Sequence, residues 1–337
     1  MNKKGKVGVA VIGCGRIGRT HIESIKELKD VAFLSAVVDV DADLARQTAQ
    51  KYGTKFYTKT EEAFNDTNIN AVVICLPNYQ HAPVAVDAME KNKHVLVEKP
   101  FALSLKDAER MVQMANQKDL TIMAGQGFRF FAGLREAQKR IKAEIGDPFN
   151  LIYIFALHFD KKKAPPWWRS KDTVGNLILT MLGSHTIDLI LWLFEGKVPD
   201  KIYAQAASHN PDFDGPDEAT ILFRFKDGAM ATNYLSLNTR PPKEECLVVG
   251  PKGTLHFKHG DTSEGLVGTA SIEISFGENV IASDPHRWNN IKSEDENFIG
   301  SILGRSEPLV KPAETILQMK VIEAAIESIK KGIAVQI

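Results

Sequence analysis

The stretch Val9-Ala10-Val11-Ile12-Gly13-Cys14-Gly15-Arg16-Ile17-Gly18 decides how the chain is read. Its apolar start reads as a buried strand. Glycines then recur as Gly13-x-Gly15-x-x-Gly18, and a helix-like run follows from Arg19 to about Lys29. Strand, glycine turn and helix in that order are the context a dinucleotide fingerprint needs. Gly13 permits the tight turn, Gly15 lets the backbone approach a pyrophosphate, and Gly18 lets the helix pack closely on the strand. The diphosphate would sit at the helix N-terminus beside Arg16 and Ile17, where free N–H groups and the dipole favour negative charge. The plain alternative is an ordinary strand-to-helix turn.

The chain has 337 residues, enough for a sizeable core and two domains. Lys plus Arg equals Asp plus Glu, so the formal net charge is zero. Without a long basic block, nucleic acid is not expected as the partner. No apolar run approaches the roughly 20 residues of a membrane span, so no membrane association is expected. The apolar run Val7 to Ile12 is too short for a signal-peptide core and runs straight into the glycine motif. Cys14, Cys75 and Cys246 form no CxxC pair, so neither a disulfide framework nor a bound metal is indicated. A cytoplasmic protein is the simplest reading.

Past the first helix, Val31 to Val38 reads as a second strand ending at Asp39. An acidic residue about 20 positions beyond the glycines is where a dinucleotide fold meets the adenosine ribose. A carboxylate accepts from two ribose hydroxyls and repels a 2′-phosphate, which favours NAD over NADP. The alternative is a solvated carboxylate opening the next helix, for which Asp41 and Asp43 are also candidates. Ala71 to Leu76 is a further buried strand, stopped by Pro77. Loops at the carboxyl ends of such strands hold the ligand, which brings Leu76, Pro77, Asn78 and His81 into the cofactor set. Asn78 reads equally well as a ribose contact or as a helix cap. His94 to Val97 ends in Glu98-Lys99-Pro100, where two opposite charges close a buried strand. Lys and Glu are rarely buried without a partner, and the alternative is a surface salt bridge. Strands alternating with helices indicate a doubly wound parallel sheet that closes near Gly127. The first domain is therefore 1–127 and the second 128–337.

These residues resemble the glucose-fructose oxidoreductase / inositol dehydrogenase family of NAD(P)-dependent sugar and polyol dehydrogenases. The resemblance rests on Gly13-x-Gly15-x-x-Gly18, Pro77-Asn78-x-x-His81 and Val97-Glu98-Lys99-Pro100. Phe128-Arg129-Phe130, Trp168-Arg169, Gly183-Ser184-His185-x-x-Asp188 and the ending Gly332-Ile333-Ala334-Val335 extend it over most of the chain. It implies a Rossmann domain followed by an α+β domain with a large open sheet. It implies NAD as cofactor and a small sugar or polyol as substrate. It also implies a homodimer or homotetramer through the C-terminal sheet. Lys99 would lie beside the nicotinamide, with Glu98, and hold the substrate hydroxyl. His185 would be the general acid/base. Asp188 and Arg129 would bind substrate, and Trp168-Arg169 would approach the nicotinamide end of the cofactor. One position departs from the pattern: where the family carries Asp four residues before the His, this chain has Met181.

The second half carries its own signals. Lys161-Lys162-Lys163-Ala164-Pro165-Pro166 is a polar loop with a rigid end, and Trp167-Trp168 beside Arg169 suits a ligand-facing loop. Leu177 to Phe194 reads as one buried helix with His185 and Asp188 on a shared face. A core histidine with a satisfied ring is the residue-level alternative there. Six strands between Lys201 and Ser275 suggest a mostly antiparallel open sheet, helices cover one of its faces, and helices from Trp288 and from Ala313 close the chain. The expected activity is oxidation of a secondary hydroxyl by hydride transfer to nicotinamide C4 of NAD, or the reverse. The alternatives are an NAD-linked sensor without turnover, and an elimination or hydrolysis that keeps its NAD and passes through transient oxidation.

Overall fold

The computed structural model describes residues 5–159, 166–259, 272–284 and 289–337. They form two compact units: Met1–Gly127 with Ile291–Ile316, and Phe128–Asn290 with Leu317–Ile337. The division at Gly127 coincides with the expected boundary. The return of 291–316 to the first unit departs from a second domain running unbroken from 128 to 337. No local pattern announces that return, because the contacts of α9 with α1, such as Asp295 with His21 and Lys292 with Glu27, join residues far apart in the chain.

The first unit is built on β1 (Val7–Ile12), β2 (Ala32–Val38), β3 (Lys55–Tyr57), β4 (Ala71–Ile74), β5 (His94–Glu98) and β6 (Ile122–Gly125). They pair in the order β3-β2-β1-β4-β5-β6, parallel throughout. β1 and β4 are buried at every residue, as expected for a parallel sheet covered on both faces. The connecting helices are α1 (Arg16–Glu27), α2 (Ala42–Tyr52), α3 (Thr60–Asn65), α4 (His81–Glu90) and α5 (Leu105–Gln117). Each turns an apolar stripe inward; on α1 it is Gly18, His21, Ile22 and Ile25. Ser104 caps α5 through the Asp107 N–H, and Asp41 caps α2 through those of Asp43 and Leu44. Strand order reverses between β2-β1 and β4, so the crevice for a ligand opens at the carboxyl ends of β1 and β4.

The second unit holds α6 (Ala132–Glu144), β7 (Asn150–His158), α7 (Lys171–Val174), α8 (Ser184–Leu193), β8 (Pro199–Ala207), β9 (Glu218–Phe225), β10 (Met230–Ser236), β11 (Asn238–Gly250), β12 (Gly253–His259), β13 (Ile272–Phe276) and β14 (Asn279–Asp284). After α9 (Asn289–Ile302) and α10 (Pro312–Lys331) comes the short edge strand β15 (Val335–Gln336). The sheet order is β14-β13-β12-β11-β7-β10-β9-β8-β15, antiparallel except for the parallel pair β7 and β10. β9 alternates buried and exposed residues, so one face is core and the other faces outward. α8 packs on β7 and β10, and α6 on β12 to β14. The outward face carries Ile152, Leu222 and Met230, each substantially exposed. Thr232 pairs with both Ile152 and Leu222, so those two lie in one row across three strands.

The expected helix 177–194 forms: residues 177–193 are helical without a break, with a π-turn at Leu179–Gly183 running into α8, and Gly175, whose φ of 80° leaves the helical region, separates it from α7. The Thr180 hydroxyl donates to the carbonyls of Val174 and Asn176 at 2.9 Å, and that of Ser184 to Thr180 at 2.7 Å. Such back-bonding to preceding carbonyls competes with the regular ladder and bends helices. The run Lys171–Leu193 reaches a mean hydropathy of 1.4 and by length and composition alone would suit a membrane span, contrary to the reading of the sequence. Most of it is buried inside the second unit, which accounts for its apolar character. The lysine loop 161–165 and Trp288 lie outside the described residues.

Candidate active site

At the carboxyl edge of the first sheet the three glycines differ in their surroundings. Gly13 has φ +100°, and a Cβ there would lie 2.4 Å from the Cys75 carbonyl oxygen. A Cβ on Gly18 would lie 1.9 Å from the Gly13 carbonyl oxygen. A Cβ on Gly15 would meet nothing within 4 Å. Gly13 and Gly18 are thus required by packing, whereas Gly15 borders open space at the start of α1. No side chain caps that helix and its first turn contains no acidic residue, so its N–H groups and dipole suit a diphosphate. Arg16 is exposed and Ile17 half-buried on the same rim.

Asp39 ends β2 beside this loop. Its Oδ2 accepts from the Cys14 N–H at 2.8 Å, and Oδ1 from the Asp41 N–H at 3.0 Å. The cap of α2 is Asp41, which removes the helix-opening alternative for Asp39. A carboxylate fixed in this way is placed for a ribose diol. The loop, the uncapped helix and Asp39 together fit NAD.

The other expected cofactor residues divide. Leu76 and Pro77 follow β4, and Asn78 is buried in the turn after them. His81 is buried, with Nδ1 2.7 Å from the Pro100 carbonyl and Nε2 2.8 Å from that of Leu76. Its ring ties the loop after β4 to the loop after β5. Burial pushes its pKa down against the pull of those carbonyls. Glu98 also turns inward: Oε1 lies 3.3 Å from His21 Nε2, and Oε2 accepts from the Lys99 N–H at 3.0 Å. Glu98 is half-buried, and both its oxygens have partners within the first unit. Lys99 is half-buried. Burial pushes its pKa below the usual lysine value, the Glu98 charge pulls it up, and Arg16 pushes it down again.

His21 was not singled out from the sequence. It is fully buried on α1, and its Nδ1 lies 2.8 Å from Asp295 Oδ1 on α9. A histidine on the inward stripe of a helix was the only local signal, and its partner stands 274 positions away.

In the second unit His185 opens α8 directly after the π-turn, a feature frequent at functional sites. Its ring stacks on Phe128 at 4.5 Å between centroids. Asp188, expected to bind substrate, is buried and accepts from Arg129 at both oxygens: Nε to Oδ2 at 2.8 Å and Nη2 to Oδ1 at 2.7 Å. Arg129, the other expected substrate ligand, is equally buried. The two are partners of each other, a bidentate pair that costs less to bury than either ion alone. Trp168 sits on a short 3-10 turn, Pro166–Arg169, against Phe159 and Trp167. The side chain of Arg169 lies outside the described residues. Met181 is buried within the π-turn.

Comparison with known proteins follows the same division. Residues 7–126 match the model of the oxidoreductase family, NAD-binding Rossmann fold, and residues 134–256 match the GFO/IDH/MocA C-terminal domain. D-apiose dehydrogenase of Rhizobium rhizogenes is 26% identical over 97% of this chain and 96% of its own. Myo-inositol 2-dehydrogenase of Thermotoga maritima is 29% identical over 66% of each chain. Among solved structures, GenD2 from gentamicin A biosynthesis, in complex with NAD, superposes with a TM-score of 0.85 at 23% identity, covering 98% of this chain and 96% of that one. The first unit carries an NAD-binding Rossmann domain, both domain models belong to one family, and the chain is a member of the GFO/IDH/MocA oxidoreductases.

Proposed function

We propose that the chain is a dehydrogenase that oxidises a secondary hydroxyl of a sugar or cyclitol, or reduces the matching ketone, and prefers NAD to NADP. The observation that carries this reading is Lys99, an amine at the carboxyl end of β5, on the sheet edge where β1 ends in the glycine loop. Burial pushes its pKa below the usual lysine value, which accords with a group that handles charge at a site. The relatives named for inositol and apiose support the substrate class. Asp39 supports the preference for NAD.

NAD, when bound, supplies a hydride acceptor at nicotinamide C4. The Gly13–Gly18 loop and α1 hold its diphosphate, and Asp39 the adenosine ribose. Lys99 donates a hydrogen bond to the reacting hydroxyl and stabilises the negative charge that develops on its oxygen. His185 takes the hydroxyl proton as general base. Arg129 and Asp188 stiffen the start of the second unit and α8, and so the seat of His185. The exposed row of Ile152 and Leu222, with Met230 beside it, supports pairing of two copies through the outer sheet face, which sedimentation would register as a dimer or tetramer.

The test is a panel of inositols, hexoses and nucleotide sugars offered with NAD or NADP, read by the near-ultraviolet absorbance of the reduced nicotinamide. At least one polyol is expected to reduce NAD, and NADP more slowly. Binding of NAD without reduction by any of them would overturn the reading.

A further inference from the structure

The structure contains a buried charge chain behind Lys99. His21 on α1 has no exposed surface, and both ring nitrogens face carboxylates: Nδ1 faces Asp295 at 2.8 Å and Nε2 faces Glu98 at 3.3 Å. An ionised carboxylate only accepts hydrogen bonds, and a neutral imidazole has only one N–H. With both acids ionised, a neutral ring would set a lone pair against a negative charge, which the carbonyls around His81 do not carry, so the second proton is favoured here. The arrangement is satisfied when both nitrogens carry protons. From Glu98 the chain continues outward, because Oε2 accepts the Lys99 N–H while Oε1 faces His21. The geometry points to His21 as a permanent imidazolium that holds Glu98 ionised and in place, and through Glu98 positions Lys99 and maintains its ammonium.

The groups around the ring come from three elements. Glu98 lies on β5, Glu294 and Asp295 lie on α9, and Cys75 follows β4. Burial alone would neutralise the ring; the charge of Asp295, then that of Cys75, and the hydrogen bonds to both carboxylates outweigh it and raise its pKa well above the usual histidine value. Cys75 itself is pushed up to about 12 by burial, so its thiol is neutral near physiological pH and the effect falls to the carboxylates. Glu98 is held below the usual carboxylate range: burial opposes this, and the His21 hydrogen bond and charge and the Lys99 charge prevail. His21, Glu98 and Glu294 also bring ligand atoms within 4.8 Å of one another, a spacing that suits a cation. A metal ion there would take the Nε2 lone pair together with Glu98 and Glu294, so a bound ion and a doubly protonated ring exclude each other, and the metal content of the purified protein separates them.

This inference rests on the proposed role of Lys99, but it can be tested without turnover. Its first readout is NMR of the full-length protein with isotope-labelled imidazole, at a pH above the ordinary histidine value. Two protonated ring nitrogens on His21 are expected; one bare nitrogen would overturn the assignment. The second readout is the Lys99 pKa from the shift of its labelled ε-carbon, assigned with Lys99→Arg. In His21→Gln, which keeps a hydrogen-bonding group and loses the charge, that pKa should fall, because Glu98 then takes up a proton and its negative charge no longer holds the ammonium. An unchanged Lys99 pKa in a folded His21→Gln would reduce His21 to a packing residue and overturn the proposal. If His21→Gln does not fold, the imidazole measurement still decides. A divalent ion retained in stoichiometric amount by the purified protein, and lost in His21→Gln, would overturn it in favour of a metal site. If no polyol is ever oxidised, the dehydrogenase reading fails while the two NMR results stand.

Discussion

A Cβ on Gly18 would lie 1.9 Å from the carbonyl oxygen of Gly13, so α1 and the loop before it approach each other as closely as backbone allows. The same test at Gly15 finds open space, and its φ of −67° is one any residue adopts. Folding and cofactor binding therefore separate at these two glycines. Gly15→Ala should leave the melting temperature nearly unchanged and weaken NAD binding by at least about tenfold, ~1.4 kcal/mol. Gly18→Ala should lower both. Calorimetry with NAD alongside thermal unfolding distinguishes the two, and full NAD affinity in Gly15→Ala would mean the diphosphate lies elsewhere.

Asp39 has a structural and a selective task. Its oxygens hold the amides of Cys14 and Asp41, so removal of the side chain would disturb the loop as well as the charge. Asp39→Ser keeps an acceptor and removes the charge. The ratio of NAD to NADP affinity should narrow or reverse in this variant. An unchanged ratio would show that Asp39 serves the loop alone.

Lys99 sets the alkaline limit of activity. The ammonium form is the active one, and burial displaces its pKa below the ordinary 10.5, so activity should fall as pH rises through that lowered value. Lys99→Ala should still bind NAD and lose roughly 10² or more in turnover, the scale for one oxyanion-type donor. Lys99→Arg stays charged throughout, so whatever activity it retains should lack the alkaline fall. The same fall in Lys99→Arg would assign it to another group.

Arg129 and Asp188 carry a stability prediction. Both are almost wholly buried and joined by two hydrogen bonds. Asp188→Ala leaves a guanidinium buried without its counter-ion and should destabilise the protein by about 3–5 kcal/mol. Replacing both residues together by apolar side chains should cost less than Asp188→Ala alone. Denaturant unfolding of the two variants checks this; equal loss in both would mean that packing, and not the stranded charge, dominates.

How much of this was legible in the sequence depends on the range of the signals. The glycine loop, the alternation of strand and helix, Asp39 and the Glu98-Lys99 strand end are local patterns, and each sits where the spacing put it. The partners of Glu98 were not legible, since His21 and Asp295 come from opposite ends of the chain. The pairing of Asp188 with Arg129 was not legible either, since the two stand 59 positions apart. β14 was missed because it is short, follows a tight Gly277-Glu278 turn, and groups its apolar residues as Val280-Ile281-Ala282 instead of alternating them. The π-turn before His185 arose from hydroxyl back-bonding at Thr180 and Ser184, which apolar periodicity does not register.

The central claim is that a carbon-bound hydrogen of a polyol passes to NAD. Its most direct measurement uses the polyol that works best, deuterated at the reacting carbinol carbon, with mass analysis of the NADH formed. The account predicts NADH carrying one deuterium, formed by the unmodified protein and almost abolished in Lys99→Ala. NADH without deuterium, or product formed with no NADH at all, would contradict it.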